Sequence, residues 1–168
     1  YGRGELLPCS DIDVMVLLPQ GEQPGWTTAL ERFLTFLWDI GLEIGHSVRT
    51  IDDCQREALA DISVATTLIE ARLLAGPEPL FSAMRRALAP DRLWPARDFF
   101  DAKVREQTER HHRYHDTAYN LEPNVKQSPG GLRDLQTIGW VAKRHFGADT
   151  LQELQSHGFL TVRELAQL

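Results

Sequence analysis

The sequence YGRGELLPCSDIDVMVLL, residues Tyr1–Leu18, predicts a glycine-punctuated loop, a turn at residues 7–10 and then a β-strand. The strand begins with Asp11-Ile12-Asp13 and continues with five apolar residues, so both of its faces are apolar and it suits burial on two sides. Because side chains alternate along an extended chain, the two aspartates lie on one face, with Cα atoms about 6.6 Å apart.

Two like charges at the beginning of a buried strand are costly unless a cation compensates them. Carboxylate oxygens suit magnesium, which proteins usually hold with one or two carboxylates together with substrate phosphates. The alternative is structural, with Asp11 capping the turn that precedes the strand. The neighbouring Gly2-x-Gly4 and Ser10 favour the metal interpretation.

Composition narrows the class of protein. The chain has 168 residues, with 18 basic against 24 acidic side chains and a net charge of −6, which argues against nucleic acid as the main partner. No apolar run approaches the roughly 18 residues that a membrane span needs. Cys9 and Cys54 are too few for a disulfide framework and fit a reducing compartment. We therefore expect a cytoplasmic protein that acts on neither nucleic acid nor membrane.

The next stretch predicts a strand–helix–strand unit. Thr27 is placed to cap a helix that runs to about Ile40, and Gly41 stands where a helix ends. Residues 42–50, LEIGHSVRT, follow as a second strand. This order is the skeleton of a small α/β domain.

Two side chains of this second strand invite a functional interpretation. Arg49 is suited to triphosphate oxygens because guanidinium pairs well with phosphate, but an ion pair with Asp52 or Asp53 is the alternative. We expect His46 to be packed or hydrogen-bonded rather than catalytic.

Helices dominate from there to residue 89. Asp52 or Asp53 is placed to cap a helix through Ala60. Residues 61–76 keep helical spacing of their apolar positions, with a strand as the alternative for part of the segment. A short helix is predicted over residues 79–89.

Prolines near residues 90–97 indicate a domain boundary at about residue 95. We expect an α/β domain over residues 1–95 and an all-helical domain over residues 96–168, which begins with a long helix from Ala96 to about Tyr114.

A histidine cluster lies near the end of this long helix. His111 and His115 are four residues apart and share a helical face, which is compatible with a metal site. However, no glutamate follows His111 as in H-E-x-x-H, and Arg110 and Arg113 flank the cluster. The pattern therefore predicts a solvated basic face, which could also line the phosphates of a nucleotide.

The segment NLEPNVKQSPGGLRDLQTIGWVAKRHFG, residues 120–147, predicts a loop that leads into a helix from Leu132 to Phe146. A Pro-Gly-Gly turn before a helix can approach an anion with bare backbone N–H groups, with Lys126 and Arg133 nearby to assist. A tight interdomain turn is the alternative. The tail predicts a Thr161-x-x-Glu164 capping box. The expected buried stripe of the helix is Leu132, Leu135, Gly139, Ala142 and Phe146.

The pattern G-R-G-E-L-x-P-x-S-D-I-D resembles the signature of the DNA polymerase β-like nucleotidyltransferases, and more narrowly that of the bacterial PII uridylyltransferase/uridylyl-removing enzymes of nitrogen regulation. In that superfamily a glycine-rich loop holds the nucleoside triphosphate and the paired aspartates bind catalytic magnesium ions. The family's loop begins with two further glycines before the tyrosine, so we expect a piece truncated at its N-terminus. The residues that match are Gly2, Arg3, Gly4 and Ser10 for the nucleotide, and Asp11 and Asp13 for the metal.

The element N-L-E-P-N-x-K-x-x-P-G-G-L-R-D-x-Q resembles the segment that follows the core in the same enzymes, and with LEIGHSVRT it extends the resemblance over essentially the whole chain. The resemblance implies a polymerase β-like core with a small mixed sheet, followed by a helical domain incomplete at its C-terminus. It also implies a third carboxylate, for which Asp61 and Glu70 are both candidates. Further nucleotide contacts would come from Arg49, Lys126, Gly130, Gly131 and Arg133.

The activity implied by the resemblance is transfer of UMP from UTP to a tyrosine hydroxyl of the PII signalling protein, with Mg²⁺ or Mn²⁺ as cofactor and pyrophosphate as leaving group. Two alternatives stay open. One is a related nucleotidyltransferase with another acceptor, such as a glutamine synthetase adenylyltransferase. The other is a module that binds a nucleotide or partner without turnover. The uridylyl-removing and glutamine-sensing functions of the family belong to other domains, and we do not assign them to this chain.

Overall fold

The structure, a computed structural model, describes residues 12–20, 25–119, 122, 124–147, 151–156, 158 and 160–165. The chain divides into two compact units, residues 1–88 and residues 89–168. The domain boundary expected near residue 95 stays a prediction, because compactness alone does not show which residues fold independently.

The first unit is built on a two-stranded parallel sheet. Strand β1 is Ile12–Leu18 and strand β2 is Ile44–Thr50, paired in register from Ile12 opposite Ile44 to Leu18 opposite Thr50. Parallel strands need a crossover, which helix α1, Trp26–Asp39, provides. The predicted strand–helix–strand order is confirmed, and the unit is broadly α/β. The polymerase β-like core and its mixed sheet stay predictions.

The start of α1 differs from the prediction. Gly25 is the N-cap, with φ of 91° and no side-chain capping bond, so Thr27 lies inside the first turn and the cap assigned to it is wrong. A glycine takes this left-handed conformation without the steric cost that other residues bear. At the other end Gly41, with φ of 81°, follows the helix as predicted.

Helix α2, Ile51–Ala60, begins directly after β2. Thr50 is its N-cap: the hydroxyl accepts a bond of 3.2 Å from the backbone N–H of Asp53, and the Asp53 carboxylate accepts one of 3.0 Å from the backbone N–H of Thr50. The cap predicted at Asp52 or Asp53 is therefore wrong. These bonds from Thr50, together with the Arg56 guanidinium, hold the pKa of Asp53 well below its ordinary value.

The rest of the first unit is helical. Helix α3 is Ile62–Ile69 and helix α4 is Glu78–Ala87. The helix predicted to reach residue 76 thus ends at Ile69. Both helices pack against α2, and the side chains buried among them are Cys54, Ala58, Ala65, Leu68 and Met84.

The described part of the second unit is helical. It contains α5, Ala96–Arg113, then α6, Leu132–Phe146, and two short helices, α7, Leu151–Ser156, and α8, Val162–Leu165. The predicted capping box is confirmed, since Glu164 and Thr161 exchange bonds of 2.8 and 3.2 Å at the start of α8. In the described residues no helix is both long enough and apolar enough to cross a membrane.

The predicted stripe of α6 is buried only in part, with Ala142 5% exposed. Leu132 and Leu135 are 53% and 50% exposed, whereas Trp140 is 4% exposed. Helix α6 also buries a charged side chain that the apolar pattern did not indicate, Arg144, whose Nε donates to the backbone oxygen of Trp94 at 2.9 Å. The buried residues of α6 are Thr137, Trp140, Ala142 and Arg144.

Candidate active site

An open cleft of about 710 Å³ lies at the end of the sheet where both strands begin. It is lined by the first residues of β1 and β2 and by residues that follow α1, and Asp13 and Glu43 supply its carboxylates. Asp13 is exposed there. Among the residues that the structure describes, none donates a hydrogen bond to its carboxylate.

Strand register fixes which face of the sheet Asp13 occupies. It lies opposite Gly45, and Met15 and Arg49 lie further along the same face. Helix α2 covers this face, because the Cys54 Sγ is 3.8 Å from the Met15 Sδ and Glu57 pairs with Arg49. Asp13 is therefore on the α2 side of the sheet. Asp11, which alternation would place on the same face, lies outside the described residues.

The opposite face of the sheet carries His46. Its ring meets that of Trp38 from α1 edge-on, with centroids 5.7 Å apart. This contact agrees with the expectation that His46 packs against a neighbouring side chain, and the expectation that it is not catalytic stays a prediction.

The arrangement around Asp13 is compatible with a divalent cation. The described ranges contain no group of three or more His, Cys, Asp or Glu side chains that would hold a metal ion by themselves. Magnesium needs fewer protein ligands when a nucleotide supplies phosphate oxygens. The Asp13 carboxylate, exposed in the cleft, is one such protein ligand and leaves room for phosphate oxygens. Asp11, the second predicted ligand, and the predicted nucleotide ligands Gly2, Arg3, Gly4 and Ser10 are not among the described residues.

Arg49 forms an ion pair, but its partner is Glu57 at 2.7 Å rather than Asp52 or Asp53. The expected partner was wrong because Asp53 is taken up by the capping box with Thr50. The role of Arg49 in binding phosphate stays a prediction.

The two candidates for the third carboxylate lie at opposite ends of α3. Asp61 is the N-cap of this helix, and its Oδ1 accepts a bond of 2.7 Å from the backbone N–H of Ser63. Glu70 is the C-cap and lies just beyond the last helical residue, so the helix predicted over residues 61–76 does not continue through it. The choice between the two stays open.

The Pro-Gly-Gly turn forms a compact structure before α6. The Gly130 N–H donates to the Asp134 carboxylate at 2.8 Å, and the Gly131 N–H donates to the Ser128 carbonyl at 2.8 Å. A Cβ on Gly131 would lie 2.8 Å from the Ser128 oxygen and 2.9 Å from the Val125 oxygen. The glycines are thus accounted for by a tight turn, and neither N–H group is open to a phosphate in this structure.

Asp134 is the residue that sequence reasoning missed. Its carboxylate accepts bonds from Arg110 Nη2 at 2.8 Å, Gln107 Nε2 at 2.9 Å and His111 Nε2 at 3.0 Å, besides the one from Gly130. An acidic residue in the first turn of α6 was the available signal, since negative charge is favourable there.

The surroundings of Asp134 form what we call the α5–α6 charge cluster: Lys103, Glu106, Arg110, His111 and Asp134. Burial by itself would raise the pKa of Asp134, but hydrogen bonds from Arg110, Gln107 and the Gly130 N–H hold it well below its ordinary value. The pKa of Glu106 is also lowered, since burial is outweighed by Lys103 and Arg110.

The prediction of a solvated basic face is wrong for part of the histidine region. Arg110 is only 2% exposed, and His111 is half-buried against Asp134. His112 is exposed and pairs with Asp116 at 2.7 Å. The cause is the Asp134 carboxylate, which attracts Arg110 and His111 toward α6.

The two remaining cationic candidates lie in the second unit. Lys126 is exposed on the loop before α6. Arg133 is half-buried, with its guanidinium carbon 5.3 Å from the centre of the Trp140 ring. The Nζ of Lys103 lies 4.6 Å from the same ring centre, so this indole is surrounded by positive charge.

Comparison with known proteins bears on both units. The family described as "GlnD PII-uridylyltransferase" matches residues 98–168. Over all 168 residues the chain is 54% identical to a bifunctional uridylyltransferase/uridylyl-removing enzyme of Nitrosococcus oceani, 55% identical to that of Pseudomonas fluorescens strain SBW25, and 53% identical to that of Vibrio cholerae. The chain is homologous to one segment of these enzymes. The resemblance to this family is thereby confirmed across both units.

The matches cover 100% of the chain but only 19% of each relative, so the chain spans about a fifth of the length of these enzymes. No solved structure matches the chain.

Proposed function

We propose that the chain carries the nucleotidyl-transfer site of a PII uridylyltransferase, which moves UMP from UTP to a tyrosine hydroxyl of the PII signalling protein and releases pyrophosphate. The observation that carries the proposal is the Asp13 carboxylate, exposed in a cleft where two parallel strands begin. The identity of 51–55% to uridylyltransferases over the whole chain supports the choice of reaction.

In this proposal Asp11 and Asp13 hold Mg²⁺ or Mn²⁺, and Asp61 or Glu70 accepts the proton of the attacking hydroxyl. The bound cation would neutralise charge on the triphosphate and lower the pKa of that hydroxyl. Because the nucleophile belongs to the partner protein, the chain needs no serine or cysteine nucleophile of its own.

The remaining assignments concern the nucleotide. Gly2, Arg3, Gly4 and Ser10 would bind the triphosphate, with Arg49, Lys126 and Arg133 as the cationic contributors. We leave Gly130 and Gly131 out of the phosphate site because their N–H groups are engaged within the turn. The proposed partners are UTP and PII. The enzyme would accordingly act in the cytoplasm and would not use nucleic acid as a substrate.

The test uses a full-length relative in which this chain replaces the matching segment. Asp13→Asn should abolish pyrophosphate release with UTP and PII, because the amide oxygen carries no charge for the cation, while the circular dichroism spectrum stays unchanged. Asp116→Asn, an exposed carboxylate in the second unit, is the matched control and should keep full activity.

Turnover at the unsubstituted rate in Asp13→Asn would refute the proposal. Release with ATP and a different acceptor, detected by mass spectrometry of candidate proteins, would instead identify a related nucleotidyltransferase. Magnesium-dependent UTP binding without any pyrophosphate release would identify a binding module.

A further inference from the structure

We propose that Gly45 is a positioning residue for Asp13: the space left by its missing side chain holds the Asp13 carboxylate over strand β2. The inference rests on the proposed function, since it concerns the residue that would bind the cation. It adds a residue on the neighbouring strand to the proposed site.

The register brings the two residues together. Gly45 is the direct partner of Asp13 in the parallel pair, so both face the same side of the sheet. A Cβ built on Gly45 would overlap Asp13 Oδ1 and lie 3.6 Å from Asp13 Cγ. The carboxylate therefore occupies the volume that any other residue at position 45 would fill.

The backbone gives no other reason for glycine at this position. Gly45 is the second residue of β2, in an extended conformation that every residue adopts, and glycine within a strand weakens it. Apart from Asp13, the nearest atom to the added Cβ is the Ile12 carbonyl oxygen at 3.9 Å, which is ordinary contact. A glycine in a strand often marks the close approach of another group, and here that group is the Asp13 side chain.

A side chain at position 45 would collide with the end of the Asp13 side chain, and this decides what the substitution does. The overlapping atom is the end of an exposed side chain rather than backbone, so Gly45→Ala should turn the Asp13 carboxylate away and leave the sheet intact. Displacement of a reacting or coordinating group by about 1 Å costs about 10²-fold in rate. Gly45→Ala should therefore reduce activity while preserving the fold.

The experiment measures three quantities in the full-length relative that carries this chain: pyrophosphate release, Mn²⁺ affinity by electron paramagnetic resonance, and thermal unfolding. For Gly45→Ala we expect release to fall about 10²-fold and the unfolding temperature to stay the same or rise. Mn²⁺ binding should weaken about 10- to 100-fold, the usual effect of changing a residue that orients a metal ligand. Gly139→Ala in α6 is the control, because no atom of the described residues lies within 4 Å of its added Cβ, and it should change neither binding nor rate.

The outcomes separate this inference from the proposed function. If Asp13→Asn abolishes Mn²⁺ binding and release while Gly45→Ala keeps both, the positioning role of Gly45 is refuted and the function stands. If Asp13→Asn keeps both, the proposed function itself fails. In a double variant, Gly45→Ala should cause no further loss of Mn²⁺ affinity beyond Asp13→Asn.

If Gly45→Ala unfolds the chain, Asp13→Ala in the same chain provides the deciding comparison, because it removes the carboxylate without placing a glycine in β1. Removing the carboxylate should then restore the unfolding temperature of Gly45→Ala. Failure to restore it would mean that the added methyl group meets something other than Asp13, which would overturn the inference.

Discussion

Replacement of Asp134 by asparagine measures what the α5–α6 charge cluster contributes to stability. The substitution keeps the size of the side chain and one acceptor oxygen, but it removes the charge that faces Arg110. If the amide oxygen faces Arg110, Gln107 and His111, the NH₂ group faces the Gly130 N–H, and two donors then oppose each other.

The expected loss in the free energy of unfolding depends on how deeply Asp134 is buried and on the bonds that Arg110 keeps. Removing one partner of a buried ion pair costs about 3–5 kcal/mol. Arg110 keeps its bonds to the Gln127 carbonyl at 2.8 Å and to Glu106, and the Asp134 side chain is 16% exposed, so the lower end applies. We expect a loss of about 3 kcal/mol in the free energy of unfolding. For a unit of this size, that corresponds to a fall of roughly 10–20 °C in Tm.

The assay is thermal and urea unfolding of the chain, followed by circular dichroism. Asp116→Asn is the control, because it removes an aspartate that also pairs with a histidine of α5 but is 56% exposed. Exposed pairs contribute less than about 1 kcal/mol, so the control should change little. Equal losses in the two variants would refute the conclusion that burial makes the Asp134 contacts strong.

Two further predictions concern the same region. The pKa values of Asp134 and Glu106 are depressed in the folded chain, so the stability that these carboxylates contribute is complete above their unfolded pKa values near 4 and is lost as pH falls through the folded values. Urea unfolding should therefore show that stability decreases from pH 7 to pH 3, and Asp134→Asn should make this decrease smaller. An unchanged pH dependence in Asp134→Asn would contradict the lowered pKa of Asp134. Gly131→Ala should destabilise by about 1–3 kcal/mol, because its Cβ would meet two backbone oxygens that cannot move away. Gly130→Ala, which meets nothing within 4 Å but has φ of 77°, should cost only the left-handed strain of about 1–2 kcal/mol, and a larger loss there than at Gly131 would contradict the steric account.

Sequence patterns predicted well those elements whose limits are set by local signals. The alternating and apolar residues after Asp11 gave β1, and the glycines at 131 and 147 bracket α6, which the structure places at Leu132–Phe146 as expected. Chain reversal and helix termination depend on a few neighbouring residues, so they can be read directly from the sequence.

Features that depend on residues distant in sequence were not predictable. Asp134 meets Gln107, Arg110 and His111 from another helix, 23 to 27 positions earlier, and this pairing drew Arg110 into the interior. The apolar stripe of α6 was only partly right, since Ala142 is buried but Leu132 and Leu135 are exposed, and the buried Arg144 bonds to Trp94, 50 positions earlier. The relation between Asp13 and Gly45 likewise required the strand register, which periodicity does not supply.

Thr50 ends β2 and caps α2, so no linking residue separates the strand from the helix. One amino acid is thus both the last residue paired in the sheet and the cap of the helix. Inserting a single residue after Thr50 would detach the capping hydroxyl from Asp53, and inserting one within β2 would shift the strand residues that follow the insertion to the other face. The first unit should accordingly tolerate changes of length in the turn after α1 better than at this junction, where one residue belongs to both the strand and the helix cap.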